Sequence, residues 1–170
     1  RLSRGASIEN ISARTVKIDV QGPDSLEVMK TIAGDGVKKI GYYGFGRFDF
    51  LGGSYIISRT GYTGELGFEV YVDADRGVDL WHRLMKHPSV KPAGLGARDI
   101  LRLEMGLPLY GSELTEETTP LDAGMERFLD MTKDFTGKQA LVDQGKVGAA
   151  RRLVGFTVDG RRTPRHGNRI

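Results

Sequence analysis

The stretch "GRFDFLGGSYIISR", residues 46 to 59, does most to limit the folds open to this chain. Two runs rich in aromatic and β-branched residues flank Gly52 and Gly53, and a two-residue glycine loop joins strands that lie antiparallel. Any fold must therefore contain an antiparallel hairpin. Two further segments supply its partners. "RTVKIDV" alternates, with Val16, Ile18 and Val20 on one face and Thr15, Lys17 and Asp19 on the other, as a half-buried strand does. "GFEVYV" sends Phe68, Val70 and Val72 to one side and Glu69 and Tyr71 to the other.

Helices are signalled between these runs. In "GPDSLEVMKTIAG", Pro23 and Asp24 suit a helix start, Leu26, Met29, Ile32 and Ala33 follow at helical spacing, and Gly34 ends it. Asp75 is placed to cap a second helix with an apolar stripe of Val78, Trp81, Leu84 and Met85, closed by Pro88. Strand, helix, three strands and helix, with extended chain at 89 to 93, predict an α+β fold. The expected form is a ferredoxin-like antiparallel sheet with one additional strand. "GLGARDILRLEMG" is a third helix ended by Gly106, residues 107 to 135 make a long connection, and a short helix follows near 137 to 144. "RRLVGFTVDG", residues 151 to 160, reads as a strand whose partners lie elsewhere.

Composition excludes more than it selects. A net charge of +3 is too small to argue for nucleic acid. No run approaches the ~18 apolar residues of a membrane span, and the absence of cysteine fits a reducing compartment. The three histidines, His82, His87 and His166, share no metal-ligand spacing. Neither nucleic acid nor membrane is expected as a partner. The stretch "YGFGRFDF" meets an RNA-binding pattern at Gly44, Phe45, Gly46 and Phe50. It departs from that pattern at Tyr43, Arg47 and Phe48, so Phe48 and Phe50 are expected in the core.

Glycine, 24 of 170 residues, is about twice the ~7% of average usage, and "RTGYTGELGFE" concentrates it. A phosphate cradle wants a helix after its glycines. Here a strand follows, and Glu65 and Glu69 would repel an anion. Glu69 leaves the core side, either as a solvated strand glutamate or as a carboxylate facing a ligand with paired N–H donors. Arg98 and Arg102 lie four apart on one helix face. Their repulsion calls for an acidic neighbour, while Arg98 beside "AGLG" could also fork onto a ligand carboxylate.

Three long stretches, "SRTGYTGELGFEVYV", "PAGLGARDILRLEMGLPLYGSELTEETTPLDAG" and "LVGFTVDGRRTPRHGNRI", resemble the glycine cleavage T-protein (aminomethyltransferase) family. "ARTVKIDVQGPDSLEVM" resembles the same family around its "QGP". The resemblance implies transfer of a one-carbon unit from the aminomethyl-lipoyl arm of H-protein to tetrahydrofolate, releasing ammonia. It makes tetrahydrofolate the co-substrate and lipoylated H-protein the partner. The working compartment is then the cytoplasm of a bacterium or the matrix of a mitochondrion. It also implies that Glu69 receives the pterin donor edge, that Arg98 binds folate, that Tyr62 and Tyr42 line the folate channel, and that Met105 contacts the ring. The domain borders implied are the end of a first domain at 1–13, a ferredoxin-like middle at 14–92, a helix and long connection of the folate region at 93–146, and the start of a C-terminal barrel at 147–170. The family's catalytic aspartate is expected before Arg1, so no catalytic residue is expected here. The chain is expected to be an inactive fragment of a protein about twice as long. The folate-binding parts of sarcosine and dimethylglycine dehydrogenases share these motifs and form the first alternative, and a ferredoxin-like RNA-binding module is the second.

Overall fold

The computed structural model describes residue 5 and residues 7–160. The chain divides into two compact units, residues 1–105 and residues 106–170.

In the first unit, strand β1 (Thr15–Gln21) leads to helix α1 (Ser25–Ala33), strands β2 (Phe45–Phe50), β3 (Gly53–Ser58) and β4 (Gly67–Asp73), helix α2 (Gly77–Met85) and helix α3 (Leu95–Glu104). The strands form one sheet in the order β1-β4-β3-β2, and every neighbouring pair is antiparallel. β2, β3 and β4 run as a meander, and β1 joins it along β4.

The hairpin forms one residue earlier than expected. Phe50 pairs with Gly53 as the last rung, so the loop is Leu51 and Gly52, with φ of 52° and 77°. Two positive φ values give the turn whose twist matches that of the strands. Register decides the matter, because a one-residue slip would turn Tyr55 and Ile57 away from the core that buries them.

That core lies on one face of the sheet. Ile57, Phe68, Val70 and Val72 from the strands meet Val28 and Met29 of α1 and Leu80 and Leu84 of α2. Of the expected α1 stripe, Met29 and Ile32 are buried and Leu26 and Ala33 partly buried, joined by Val28 and Ser25; Asp24 is the cap position without a side-chain bond, and Gly34 ends the helix with φ 80°. α2 is rotated from expectation. Its buried side is Gly77, Leu80 and Leu84, while Val78 and Trp81 face outward at 64% and 43% exposure. Gly77 explains the rotation: a Cβ there would lie 3.2 Å from Val16 Cγ1, so the helix seats its glycine on β1. Asp75 does not cap this helix. It lies in a 3-10 turn, Ala74–Arg76, and the cap position falls to Arg76 without a side-chain bond.

Two further expectations are corrected. Residues 89 to 93 form no strand; Val90 packs against the core instead, and Pro92 has no N–H to offer a ladder. Among the described residues the sheet therefore has four strands, with β1 at its edge rather than inside it as a ferredoxin-like order requires. What stands is an α+β unit with an antiparallel sheet. Phe50 is buried and Phe48 packs beside it, which withdraws from solvent the rings an RNA-binding sheet would stack on bases.

The second unit holds a 3-10 turn, Glu126–Phe128, and helix α4 (Lys138–Val147). Its organiser is Asp122. One carboxylate oxygen accepts from the Thr119 main chain and hydroxyl at 3.0 and 2.9 Å, the other from Gln144 of α4 at 3.0 Å, and the Asp122 carbonyl accepts from Leu153 N at 2.9 Å. Residues 151–160 form no strand and are exposed, so the expected opening strand of a barrel is not found there. A lone strand has no ladder partner, and Leu153 gives its N–H to Asp122 instead. The remainder of that expectation, residues 161 to 170, lies outside the described residues. No described helix is long and apolar enough to cross a membrane.

The orientation of α2 gives a direct test. Leu80→Ala should cost about 2–5 kcal/mol in urea unfolding, whereas Val78→Ala should stay within about 0.5 kcal/mol. Equal costs would contradict the placement of Gly77 on β1.

Candidate functional site

The face of the sheet away from the core carries a compact polar cluster, and strand register builds it. β1 and β4 pair so that Asp19 lies opposite Glu69, Lys17 opposite Tyr71 and Gln21 opposite Gly67, while Glu69 also faces Ser58 of β3. Alternation sends all of these side chains to the face opposite Val70 and Phe68. Asp19 and Glu69 are 18% and 16% exposed, sheltered enough for their charges to matter.

Each carboxylate has its own donors. Glu69 Oε1 accepts from the Lys17 ammonium. Glu69 Oε2 accepts from the Thr60 hydroxyl and, at 3.4 Å, from the Tyr71 hydroxyl. Asp19 Oδ2 accepts from Arg98 Nη1. Asp19 Oδ1 lies 3.0 Å from the Lys17 ammonium but off its hydrogen-bonding direction, so among the described residues it is buried without a hydrogen-bond partner. Burial alone would raise the Glu69 pKa, yet the bonds from Lys17 and Thr60 and the Lys17 charge outweigh it and hold the group below its ordinary 4.5. Burial likewise opposes the Lys17 charge, but its bond to Glu69 and the close negative charges of Asp19 and Glu69 push the ammonium pKa up.

The glycine loop between β3 and β4 is sutured to β1 by Gln21. The Gln21 amide donates to the carbonyls of Thr60 and Phe68 at 3.2 and 3.3 Å. A Cβ on Gly67 would overlap that amide, so glycine is what lets β4 start against Gln21. Thr63 is buried in the same loop and its hydroxyl donates to Gln21 Oε1 at 3.4 Å. Tyr62 follows, and the Arg98 guanidinium stands 5.1 Å from its ring centre, a cation–π distance.

Of the residues singled out in the sequence, Glu69, Arg98 and Tyr62 are thus brought into one connected cluster through Asp19 and Lys17. Met105 lies at the end of α3 with its side chain against Gly64 of the loop and is half exposed. Tyr42 lies elsewhere, 77% exposed and packed edge-on against Tyr43 at 4.5 Å. Its neighbour Tyr43 is tied by its N–H to the Arg59 carbonyl at 3.1 Å, one residue before Thr60. The repulsion between Arg98 and Arg102 is resolved separately for each: Arg98 pairs with Asp19, and buried Arg102 pairs with Asp99 at 2.7 Å. Sequence reading missed Lys17, Asp19, Gln21 and Thr60. The alternation in "KIDVQ" places Lys17, Asp19 and Gln21 on one polar face, but only the register shows that Glu69 lies opposite.

A cleft of about 660 Å³ runs along β1, walled by Asp19, Gln21 and Arg98 and by apolar Ile18, Trp81 and Leu101. That size suits a small organic ligand. Glu69 and Tyr62 lie outside its lining, so the cleft meets the polar cluster at Lys17, Asp19, Gln21 and Arg98. The cluster offers an ionised acceptor for a donor edge and a guanidinium for an acidic group. Among the described residues, no group of three His, Asp or Glu side chains could hold a metal ion.

The family model described as GCVT N-terminal domain matches residues 1–133. The aminomethyltransferase of Caldanaerobacter subterraneus subsp. tengcongensis is 43% identical over 168 residues, covering 96% of this chain and 45% of its own. That of Aquifex aeolicus is 43% identical over 169 residues, covering 99% and 45%. Among solved structures, the glycine cleavage system aminomethyltransferase T from Bartonella henselae superposes with a TM-score of 0.72 at 32% identity, over 81% of this chain and 38% of that one. The chain spans less than half the length of these relatives.

Two outcomes follow from the geometry. Gly67→Ala should destabilise the chain by displacing the Gln21 amide, and Gln21→Ala should relieve it, giving a coupling of about 0.5–3 kcal/mol in a double-mutant cycle. Additive costs would show that the loop does not lean on Gln21. Because Glu69 is held below 4.5 when folded, its contribution to stability is complete above that value and lost as pH falls through the lower native midpoint. The stability gap between wild type and Glu69→Gln should narrow on acidification from about pH 6 to about pH 3. A constant gap in urea unfolding would contradict the ion pairing.

Proposed function

The chain belongs to the glycine cleavage T-protein family, matched through the GCVT N-terminal domain, and from that membership we propose that its Glu69 cluster binds reduced folate in a tetrahydrofolate-dependent aminomethyltransferase. The observation that carries this reading is the state of Glu69: a sheltered carboxylate kept ionised by Lys17 and Thr60. An ionised carboxylate has about four lone-pair sites and accepts two parallel N–H bonds from a heterocycle's amino edge, here once the long 3.4 Å bond from Tyr71 gives way. A pterin presents such an edge.

In this reading Glu69 orients the pterin, Arg98 attracts an acidic part of the ligand, and Tyr62 and Met105 flank the ring. Tyr42 belongs to the channel wall in the whole protein. Residues 14–92 form the family's middle domain and 93–146 its folate-facing connection. The reaction moves the carbon of an aminomethyl group from a lipoyl sulfur to folate nitrogen, leaving dihydrolipoyl thiol, methylenetetrahydrofolate and ammonia. Lipoylated H-protein is the donor. The proton-transfer group at the reacting nitrogen is expected from the part of the protein outside these 170 residues.

In the full-length parent, Glu69→Gln should weaken tetrahydrofolate binding by about 1.5–3 kcal/mol, roughly ten- to 150-fold by calorimetry. Unchanged affinity would sink the folate assignment. The donor is tested by offering the same enzyme aminomethylated H-protein, which should be consumed. Turnover of sarcosine or dimethylglycine through a flavin partner, with H-protein ignored, would move the protein to the dehydrogenase-associated branch.

A further inference from the structure

Two carboxylates placed directly opposite on neighbouring antiparallel strands repel, and β1 and β4 do this with Asp19 and Glu69 at one register position. Among the described residues, the side chains that bond or ion-pair with the two carboxylates come from four places in the chain. β1 contributes Lys17, whose ammonium bonds Glu69 Oε1 and stands 3.0 Å from Asp19 Oδ1. β4 contributes the Tyr71 hydroxyl, and the loop after β3 contributes the Thr60 hydroxyl, both on Glu69 Oε2. α3 contributes Arg98, which bonds Asp19 Oδ2. Thr60 and Tyr71 bring dipoles to Glu69 but no charge, and the guanidinium of Arg98 is engaged on the other carboxylate. Lys17 is the cation that touches both.

We propose that Lys17 is a positioning residue for ligand recognition: its shared ammonium lets Glu69 meet the ligand as a full carboxylate although Asp19 faces it across the strand pair. This deepens the folate reading and rests on it for the ligand. Without the ammonium, one guanidinium, Arg98 on Asp19, is left for two facing carboxylates, Glu69 keeps only hydroxyl donors, and the relief open to it is to take up a proton. A protonated Glu69 becomes a donor on one oxygen and can no longer accept two parallel N–H bonds. Asp19 is thus part of the arrangement, since it is the charge that makes Lys17 necessary.

The test is a site-resolved carboxyl titration by NMR on the full-length parent without ligand, with the Glu69 resonance identified by its loss in Glu69→Gln. Glu69 should titrate below the ordinary glutamate value in wild type and at least about one pH unit higher in Lys17→Met. Adding Asp19→Asn to Lys17→Met should bring it back down. A role of Lys17 confined to strand stability would change unfolding without this reversal, so an unmoved midpoint, or one that Asp19→Asn does not restore, overturns the proposal. Should Lys17→Met fail to fold, Asp19→Asn alone decides. The ammonium then attends only Glu69 and the midpoint should fall further; an unchanged one overturns the proposal. In calorimetry, tetrahydrofolate affinity of Lys17→Met should drop about tenfold per pH unit below the raised midpoint while wild type stays flat there. The titration is read without ligand, so its failure removes the Lys17 coupling alone, whereas unchanged affinity in Glu69→Gln removes the folate reading alone.

Discussion

The β1–β4 ladder is the constraint on which the first unit depends. Seven rungs, from Thr15↔Asp73 to Gln21↔Gly67, attach β1 to the meander, and one register serves two purposes. On the core side it aligns Val16, Ile18 and Val20 with Val72, Val70 and Phe68. On the other it sets Asp19 against Glu69 and Gln21 against Gly67. A slip of one residue would put charges in the core and valines in the polar cluster. Burial of the apolar side therefore holds the carboxylates together against their own repulsion.

α3 shows the same priority given to charge. Its sequence offers Leu95, Ile100 and Leu103 as a natural buried stripe, yet these are 81%, 59% and 60% exposed, while Arg102 is 5% exposed. Arg98, its side chain 41% exposed, reaches Asp19 of β1, while buried Arg102 bonds Asp99 within the same helix. A buried guanidinium persists where it is bonded, and the Arg98–Asp19 pair ties α3 to the sheet.

The acidic and basic side chains of the cluster are arranged as a relay of contacts: Tyr62 under Arg98, Arg98 on Asp19, Lys17 between Asp19 and Glu69, Thr60 closing the second oxygen of Glu69. Such a network is rigid only while every member is satisfied. Among the described residues of this cluster, Asp19 Oδ1 has its charge balanced by the Lys17 ammonium at 3.0 Å without a hydrogen bond.

The sequence by itself determined the family and most elements of the first unit. Alternation in "RTVKIDV" and "GFEVYV" set which side of each strand is apolar, the glycine pair announced the hairpin, Gly34 and Gly106 ended their helices, and the long motifs carried the family together with Glu69, Arg98 and Tyr62. Local spacing reports only what a residue's own neighbours demand, and it goes no further. Tertiary structure decided the rest: that the loop is Leu51–Gly52, because Phe50 and Gly53 close the ladder; that α2 buries Gly77 and Leu80 rather than Val78 and Trp81, because the helix packs closely on Val16 at its glycine; that residues 89–93 and 151–160 form no strands, because neither finds a ladder partner; and that Lys17, Asp19 and Gln21 join the cluster, because residues about 50 apart in the chain become opposite only when the strands pair.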